Sequence, residues 1–239
     1  MHFRCRVGSN AYVVYCLGKF IAKWRHNIVS PNTHMCVEGY PRSANTFMMA
    51  LLRQAEIKPY RYASHTHWAG NVLLALKLNI PVIILIREPF DCILSNAVFE
   101  PEVNLKRHIK DYILFYNKLI PYKNNANIVE FNDVTRRPNK VLLDVNKIDR
   151  CNFRSLLLES GDEKEAVDAL VEKWHYGRPR SNYENVEQTI ARPSADRDLM
   201  KEEYKKLIEE EQVLSRLMME ANRIYKIFIT SGNNQLEEE

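Results

Sequence analysis

The sequence predicts an α/β fold, a three-layer sandwich whose central sheet is mostly parallel. Two observations carry this prediction. Short segments with few charges alternate along the chain with longer segments of helical pattern. One of the short segments, 81–86 (PVIILI), is apolar without interruption, which is typical of a strand that is covered on both faces. The 239 residues, 46% of them hydrophobic and 27% charged, suit a single globular domain and exclude a disordered chain or a collagen.

The strands are predicted by short runs of apolar residues that end at a turn or a polar side chain. In chain order they cover 34–39 (HMCVEG), 60–65, 81–86 and 127–131 (NIVEF). The loops that follow parallel strands gather at one edge of a sheet, and ligands of open α/β sheets bind there. We therefore expect the functional residues directly after these strands.

The helices are predicted by apolar residues at steps of three and four and by runs of good helix formers. In chain order they cover about 10–26, 46–55, 71–78, 91–99, 105–120, 167–174 and 200–228, the last as one helix or as two broken near 209–211. The first is expected on the surface, because Lys19 interrupts its apolar run and the run is too short to span a membrane. Residues 231–239 are expected to be a frayed tail.

Charge and cysteine content narrow the class of protein. Lys and Arg number 34 and Asp and Glu 30, and a net charge of +4 does not indicate a nucleic-acid binder. The five cysteines are widely spaced and include no CxxC pair, so neither a zinc site nor a disulfide framework is predicted. A reducing compartment, and hence the cytoplasm, is the simpler interpretation. No metal is expected, and the oligomeric state stays open.

The loop after the first strand has an order of residues that suits an anion. It joins a strand directly to a helix N-terminus, where backbone N–H groups and the helix dipole face a negative charge. Compared with the nucleotide loop G-x-x-x-x-G-K-[ST], Gly39 and Thr46 match, but Ala44 replaces the second glycine and Asn45 replaces the lysine. A cation stands earlier, at Arg42. This loop alone does not decide between an anion site and an ordinary connection with a helix cap.

The loop after the 81–86 strand places an arginine at the tip of a buried strand. Such a charge is costly unless it is paired or lies near a ligand. Ser95 follows Arg87 by about two helical turns, so the guanidinium and the hydroxyl could converge on one phosphate. The alternative is that Arg87 pairs with Glu88 or Asp91 and that Ser95 is an ordinary helix serine.

Together the two loops resemble those of the sulfotransferase family. Residues 40–47 (YPRSANTF) are similar to the family's 5′-phosphosulfate loop, Y-P-[KR]-S-G-[TN]-T-[WF], and 87–95 (REPFDCILS) to its 3′-phosphate motif, R-x-P-x-D-x-x-x-S. The resemblance covers roughly 34–135. It implies a fold like that of the P-loop nucleotide hydrolases. It also implies 3′-phosphoadenosine-5′-phosphosulfate (PAPS) as the sulfuryl donor, with adenosine 3′,5′-bisphosphate (PAP) as its product.

The resemblance further implies a role for each matching residue. Arg42 stands where the family has its catalytic Lys or Arg, which neutralises charge on the bridging oxygen as the S–O bond breaks. Arg87 and Ser95 would hold the 3′-phosphate. The residues implied to bind the donor are Arg42, Ser43, Ala44, Asn45, Thr46, Phe47, Arg87 and Ser95, and Arg192 is added as a further phosphate contact. Ala44 departs from the family's glycine, and we expect its methyl group to crowd the approach of the loop to the phosphate.

A general base is expected after the second strand, where the family often has [KR]-[ST]-H. Here the sequence is Ala63-Ser64-His65-Thr66-His67, so His65 and His67 both qualify. If His67 is the base, His65 takes the place of the basic residue, and if His65 is the base, that place is Ala63. We favour His67 and keep both.

The sequence therefore predicts a sulfotransferase that moves a sulfuryl group from PAPS to an acceptor hydroxyl or amine by direct in-line transfer. A small-molecule or saccharide acceptor is expected, and no nucleic acid and no membrane span. Two alternatives stay open. One is a nucleotide or small-molecule kinase with a degenerate loop, against which the missing lysine argues. The other is a nucleotide-binding module without chemistry.

Overall fold

The structure, a computed structural model, describes residues 10–20, 26–156 and 195–233. The strands in these residues are β1 (Met35–Gly39), β2 (Tyr62–Ser64), β3 (Val82–Ile86) and β4 (Asn127–Glu130). They form one sheet in the order β2-β1-β3-β4, and each neighbouring pair is parallel. The carboxyl ends of β1 and β3 are adjacent, because Gly39 is in register with Leu85. The loops after these two strands therefore meet at one edge of the sheet.

Helices follow the strands and cover both faces of the sheet. They are α1 (Ala11–Phe20), α2 (Asn45–Ala55), α3 (Ala69–Lys77), α4 (Pro89–Phe99), α5 (Leu105–Leu119), α6 (Phe131–Arg136), α7 (Pro138–Asn146), α8 (Ala195–Glu210) and α9 (Gln212–Asn233). α4 starts sharply because Pro89 needs no N–H partner in the first turn and the Glu88 carboxylate accepts the N–H of Asp91 at 2.9 Å.

Alternate residues of the strands belong to two buried apolar clusters, one on each face of the sheet. Cys36 and Ile84 point into a cluster with α3, α4, α5 and α9, while Val37 and Leu85 point into a cluster with α2 and α7. Each residue of β1 and β3 is buried; β3 is accordingly a continuous apolar run, whereas β1 contains the charged Glu38. The predicted α/β fold with a parallel sheet between helical layers is confirmed.

Several predicted boundaries shift. Of the two alternatives for 200–228, two helices are observed, and they break at Glu211. The last helix, α9, continues to Asn233, and the rest of the predicted tail lies outside the described residues. The predicted helix 167–174 lies outside the described residues. Among the helices that the structure describes, none has the length and apolar character that crossing a membrane requires.

Candidate anion-binding and catalytic site

The first feature of the site is the close packing of β1 against β3 at Gly39. A Cβ atom at this position would lie 2.6 Å from the carbonyl oxygen of Leu85 and 2.9 Å from its Cβ. That carbonyl is itself fixed, because it accepts the hydroxyl of Tyr116 at 2.7 Å. The loop therefore leaves the sheet at a position where no side chain fits.

The loop itself is bent by two residues in the left-handed region, Arg42 (φ 71°) and Ala44 (φ 70°). This conformation favours glycine, which is the residue that the sulfotransferase loop pattern has at the position of Ala44. Its methyl group packs in the apolar cluster with α2 and α7, and its left-handed backbone costs free energy. Ala44 is also the N-cap of α2 and offers no side-chain bond to the first turn. The first N–H groups of α2, at Asn45, Thr46 and Phe47, have no side-chain cap among the described residues.

Two polar side chains of the loop turn inward and fix its shape. Ser43 is fully buried, and its hydroxyl donates to the hydroxyl of Tyr116 at 3.2 Å. Its backbone N–H, which we expected to face the phosphate, instead donates to the carbonyl of Tyr40 at 3.2 Å. Asn45, in the position of the nucleotide-loop lysine, donates through Nδ2 to the same Tyr40 carbonyl at 3.1 Å. Both residues shape the loop from within.

No pattern in the sequence indicates that α5 supports this loop through its tyrosines. The hydroxyl of Tyr116 also accepts the N–H of Tyr40 at 3.3 Å, so it links the first loop to the end of β3. The hydroxyl of Tyr112 donates to the carbonyl of Arg87 at 2.9 Å. Burial raises the pKa of both tyrosines well above the usual range, so each hydroxyl keeps its proton. One helix thus holds the starts of both loops.

Arg87 lies where the two loops meet. Its Nη1 donates to the carbonyl of Arg42 at 3.2 Å, and its guanidinium carbon is 4.0 Å from the centre of the Phe131 ring. The alternative pairing with Asp91 is present at 3.7 Å, but the Asp91 carboxylate is largely exposed and solvent weakens the pair. Arg87 Nε is buried and has no hydrogen-bond partner among the described residues. A buried donor of this kind suits an anion.

Arg42 joins the two motifs directly. Its Nε donates to Ser95 Oγ at 3.2 Å, and its guanidinium carbon lies 5.0 Å from the centre of the Phe99 ring. Ser95 and Phe99 both belong to α4, one turn apart. The two arginines and the serine that the sequence analysis singled out are therefore neighbours in space. Thr46 and Phe47 are half-buried in the first turn of α2, and Arg192 lies outside the described residues.

The two histidines lie in the loop between β2 and α3, and both have left-handed backbones (φ 60° at His65 and φ 54° at His67). His67 Nδ1 is 2.8 Å from the carbonyl oxygen of Gly39, which can only accept, so Nδ1 carries a proton, and in the neutral ring the lone pair is at Nε2. His65 Nδ1 is 3.1 Å from Ser64 Oγ. The two rings are 6.2 Å apart, edge to face. Of the two rings, that of His67 is held by Gly39, the last residue of β1.

A further charged residue, Glu38, was missed by sequence reasoning. It is fully buried in β1, and its carboxylate binds the loop that holds His65 and His67. The only available signal was a single charge within the otherwise apolar run HMCVEG. The part of the chain that the structure describes contains no group of three or more His, Cys, Asp or Glu side chains arranged to hold a metal ion.

Comparison of the sequence with models of known protein families gives no match, and comparison with curated proteins gives no significant match.

Proposed function

We propose that the chain is a sulfotransferase that transfers the sulfuryl group of PAPS to an acceptor hydroxyl or amine, on a fold of the P-loop type. The observation that carries the proposal is the convergence of the two motifs at the carboxyl ends of β1 and β3. Arg42 Nε lies 3.2 Å from Ser95 Oγ, and Arg87 Nη1 lies 3.2 Å from the Arg42 carbonyl. Two cations and a hydroxyl beside an uncapped helix N-terminus form a binding site for a molecule with more than one anionic group.

In this proposal the 5′-phosphate of the donor binds at the first turn of α2. The N–H groups of Asn45, Thr46 and Phe47 supply donors there, and the hydroxyl of Thr46 adds one more. The 3′-phosphate binds Arg87 and Ser95. Two features support this assignment: the buried Nε of Arg87 has no partner among the described residues, and the stacking on Phe131 holds the guanidinium plane in place.

The chemistry follows from the charges that develop. The bond between sulfur and the bridging oxygen of the donor breaks as a bond between sulfur and the acceptor oxygen or nitrogen forms. Negative charge gathers on the bridging oxygen, which leaves with the bisphosphate, and Arg42 neutralises it. The acceptor loses a proton, which His67 takes at Nε2, because its Nδ1 already donates to the carbonyl of Gly39.

The kinase alternative has no observation in its favour. Asn45 carries no charge, and its amide is engaged with the carbonyl of Tyr40 rather than directed to a phosphate chain. We propose a small-molecule or saccharide acceptor.

The cysteines at 16, 36, 92 and 151 are free, which supports a reducing compartment such as the cytoplasm.

A thermal-shift experiment tests the donor class. The purified chain is heated with adenosine 3′,5′-bisphosphate, with AMP, and with ATP plus magnesium. A ligand at about 100 times its Kd stabilises by about 2.7 kcal/mol, which for a chain of this size raises Tm by about 5–11 °C. We expect this shift with the bisphosphate only. A shift with ATP and magnesium alone would favour the kinase, and no shift with any of the three would overturn the proposal.

A further inference from the structure

The buried carboxylate of Glu38 is directed entirely at the histidine loop. Oε1 accepts the backbone N–H of Thr66 at 3.0 Å, the Thr66 hydroxyl at 2.6 Å and the side-chain amide of Asn71 at 3.0 Å. Oε2 accepts the backbone N–H of His67 at 2.9 Å. Four donors from the loop after β2 and from α3 thus converge on one side chain of β1.

These partners fit the ionised carboxylate. Backbone and amide N–H groups only donate, so a protonated Glu38 would direct a hydrogen at groups that cannot accept it, apart from the Thr66 hydroxyl. Burial raises the pKa of Glu38. The bonds from Thr66 and Asn71, and the His67 ring when it is protonated, act in the opposite direction and favour the charged form.

The loop that Glu38 binds needs such support. His65 and His67 both have left-handed backbones, a conformation that costs free energy for a residue with a Cβ and persists where surrounding contacts impose it. Glu38 supplies those contacts at Thr66 and His67, the second and third residues of the stretch. A well-packed apolar side chain would serve the stability of β1 at least as well as a buried charge, so stability alone does not explain a glutamate here.

Consecutive residues of β1 hold the two ends of His67. Glu38 binds its backbone N–H, and the carbonyl of Gly39 binds its ring at Nδ1. We propose that Glu38 is the positioning residue for His67: it fixes the strained loop so that the ring donates through Nδ1 and presents Nε2 to the acceptor. This inference rests on the proposed function for the role of His67, but the placement of the ring can be measured without it.

The test compares Glu38→Gln with Thr66→Val. The first removes the charge and leaves an amide N–H₂ facing groups that only donate. The second removes one of the four bonds but keeps the charge and the bond to the His67 N–H. We expect kcat for sulfuryl transfer to fall by about 10- to 100-fold in Glu38→Gln, with KM for PAPS within about twofold of wild type. We expect kcat of Thr66→Val to stay within about threefold of wild type.

A second readout is independent of turnover. Nitrogen-15 NMR of histidine-labelled chain reports which ring nitrogen of His67 carries the proton, with the His67 signal assigned by its loss in His67→Gln. We expect the Nδ1–H form in wild type and in Thr66→Val, and a mixture of both forms in Glu38→Gln. If Glu38→Gln does not fold, Glu38→Asp takes its place, because the shorter side chain withdraws the carboxylate from the His67 N–H.

The outcomes separate the two proposals. An unchanged His67 tautomer in the folded Glu38 variant, or an equal fall of kcat in Thr66→Val, would overturn the role of Glu38. If wild type shows no transfer and no binding of the bisphosphate, the proposed function fails while the NMR comparison still decides the positioning.

Discussion

The packing of β1 against β3 predicts that Gly39→Ala is strongly destabilising. The added Cβ would lie 2.6 Å from the carbonyl oxygen of Leu85, whereas an ordinary contact begins at 3.4 Å, so the two strands would have to part by about 0.8 Å. The carbonyl cannot turn away without losing its bond from the Tyr116 hydroxyl at 2.7 Å. Overpacking of a closed core costs about 1–3 kcal/mol. We expect the upper half of this range, because the obstacle is backbone.

The assay is urea unfolding followed by circular dichroism, together with a thermal melt. A loss of about 2–3 kcal/mol lowers Tm by roughly 4–12 °C in a chain of this size. The urea m-value should match that of wild type, so that the shift in midpoint reports stability alone. A loss below about 0.5 kcal/mol, within the range of an ordinary surface substitution, would refute the argument.

Three further predictions concern the site and its support. Arg87→Ala should raise the Kd for adenosine 3′,5′-bisphosphate by about 10- to 150-fold, since one charge-assisted bond contributes about 1.5–3 kcal/mol, as measured by calorimetry. Ala44→Gly should leave stability within about 1 kcal/mol of wild type in urea, because relief of the left-handed alanine is offset by unfolded-state entropy and by a lost buried methyl group. Burial lowers the pKa of His108 from its usual value of 6.5. As the pH falls below 6.5, the unfolded chain therefore binds a proton that folded His108 does not, and the free energy of unfolding decreases. The stability advantage of wild type over His108→Gln should therefore shrink from pH 7 to pH 5, by at most about 1.4 kcal/mol per pH unit.

Each of these predictions has a contrary result. An unchanged Kd for the bisphosphate in Arg87→Ala would mean that Arg87 does not bind this ligand. A change of more than about 2 kcal/mol in Ala44→Gly would mean that one of the three terms is misjudged. A stability difference that is constant or grows between pH 7 and pH 5 would show that burial does not hold His108 neutral in the folded chain.

The sheet could be predicted because its signal is local. The run 82–86 contains nothing but apolar residues, so burial on both faces follows from composition alone, and the structure confirms it. The two loops could be found for the same reason, since strand, turn and helix N-terminus follow one another in the sequence. Their adjacency follows from the parallel order of β1 and β3.

The support of the site could not be predicted, because it depends on contacts between distant residues. Tyr116 is 73 positions from Ser43, and its hydroxyl reaches the loop only because α5 packs across the ends of β1 and β3. In the sequence it is one of several apolar residues on the buried face of a helix. Glu38 is 28 positions from Thr66, and only the pairing of β1 with β2 brings them together. The inward direction of the Ser43 side chain depends on the left-handed backbone at Arg42 and Ala44. No residue type in the loop predicts that backbone conformation.

The central claim is that the chain transfers a sulfuryl group, with Arg42 neutralising the bridging oxygen of the donor and His67 taking the proton of the acceptor. The most direct measurement incubates the chain with sulfur-35-labelled PAPS and a panel of phenols, saccharides and tyrosine-containing peptides, and follows label into the acceptor. We predict transfer to at least one acceptor by wild type and a fall of at least about 100-fold in Arg42→Ala, whose guanidinium stabilises the developing charge. Binding of the bisphosphate with no label in any acceptor, or transfer that Arg42→Ala leaves unchanged, would contradict the account.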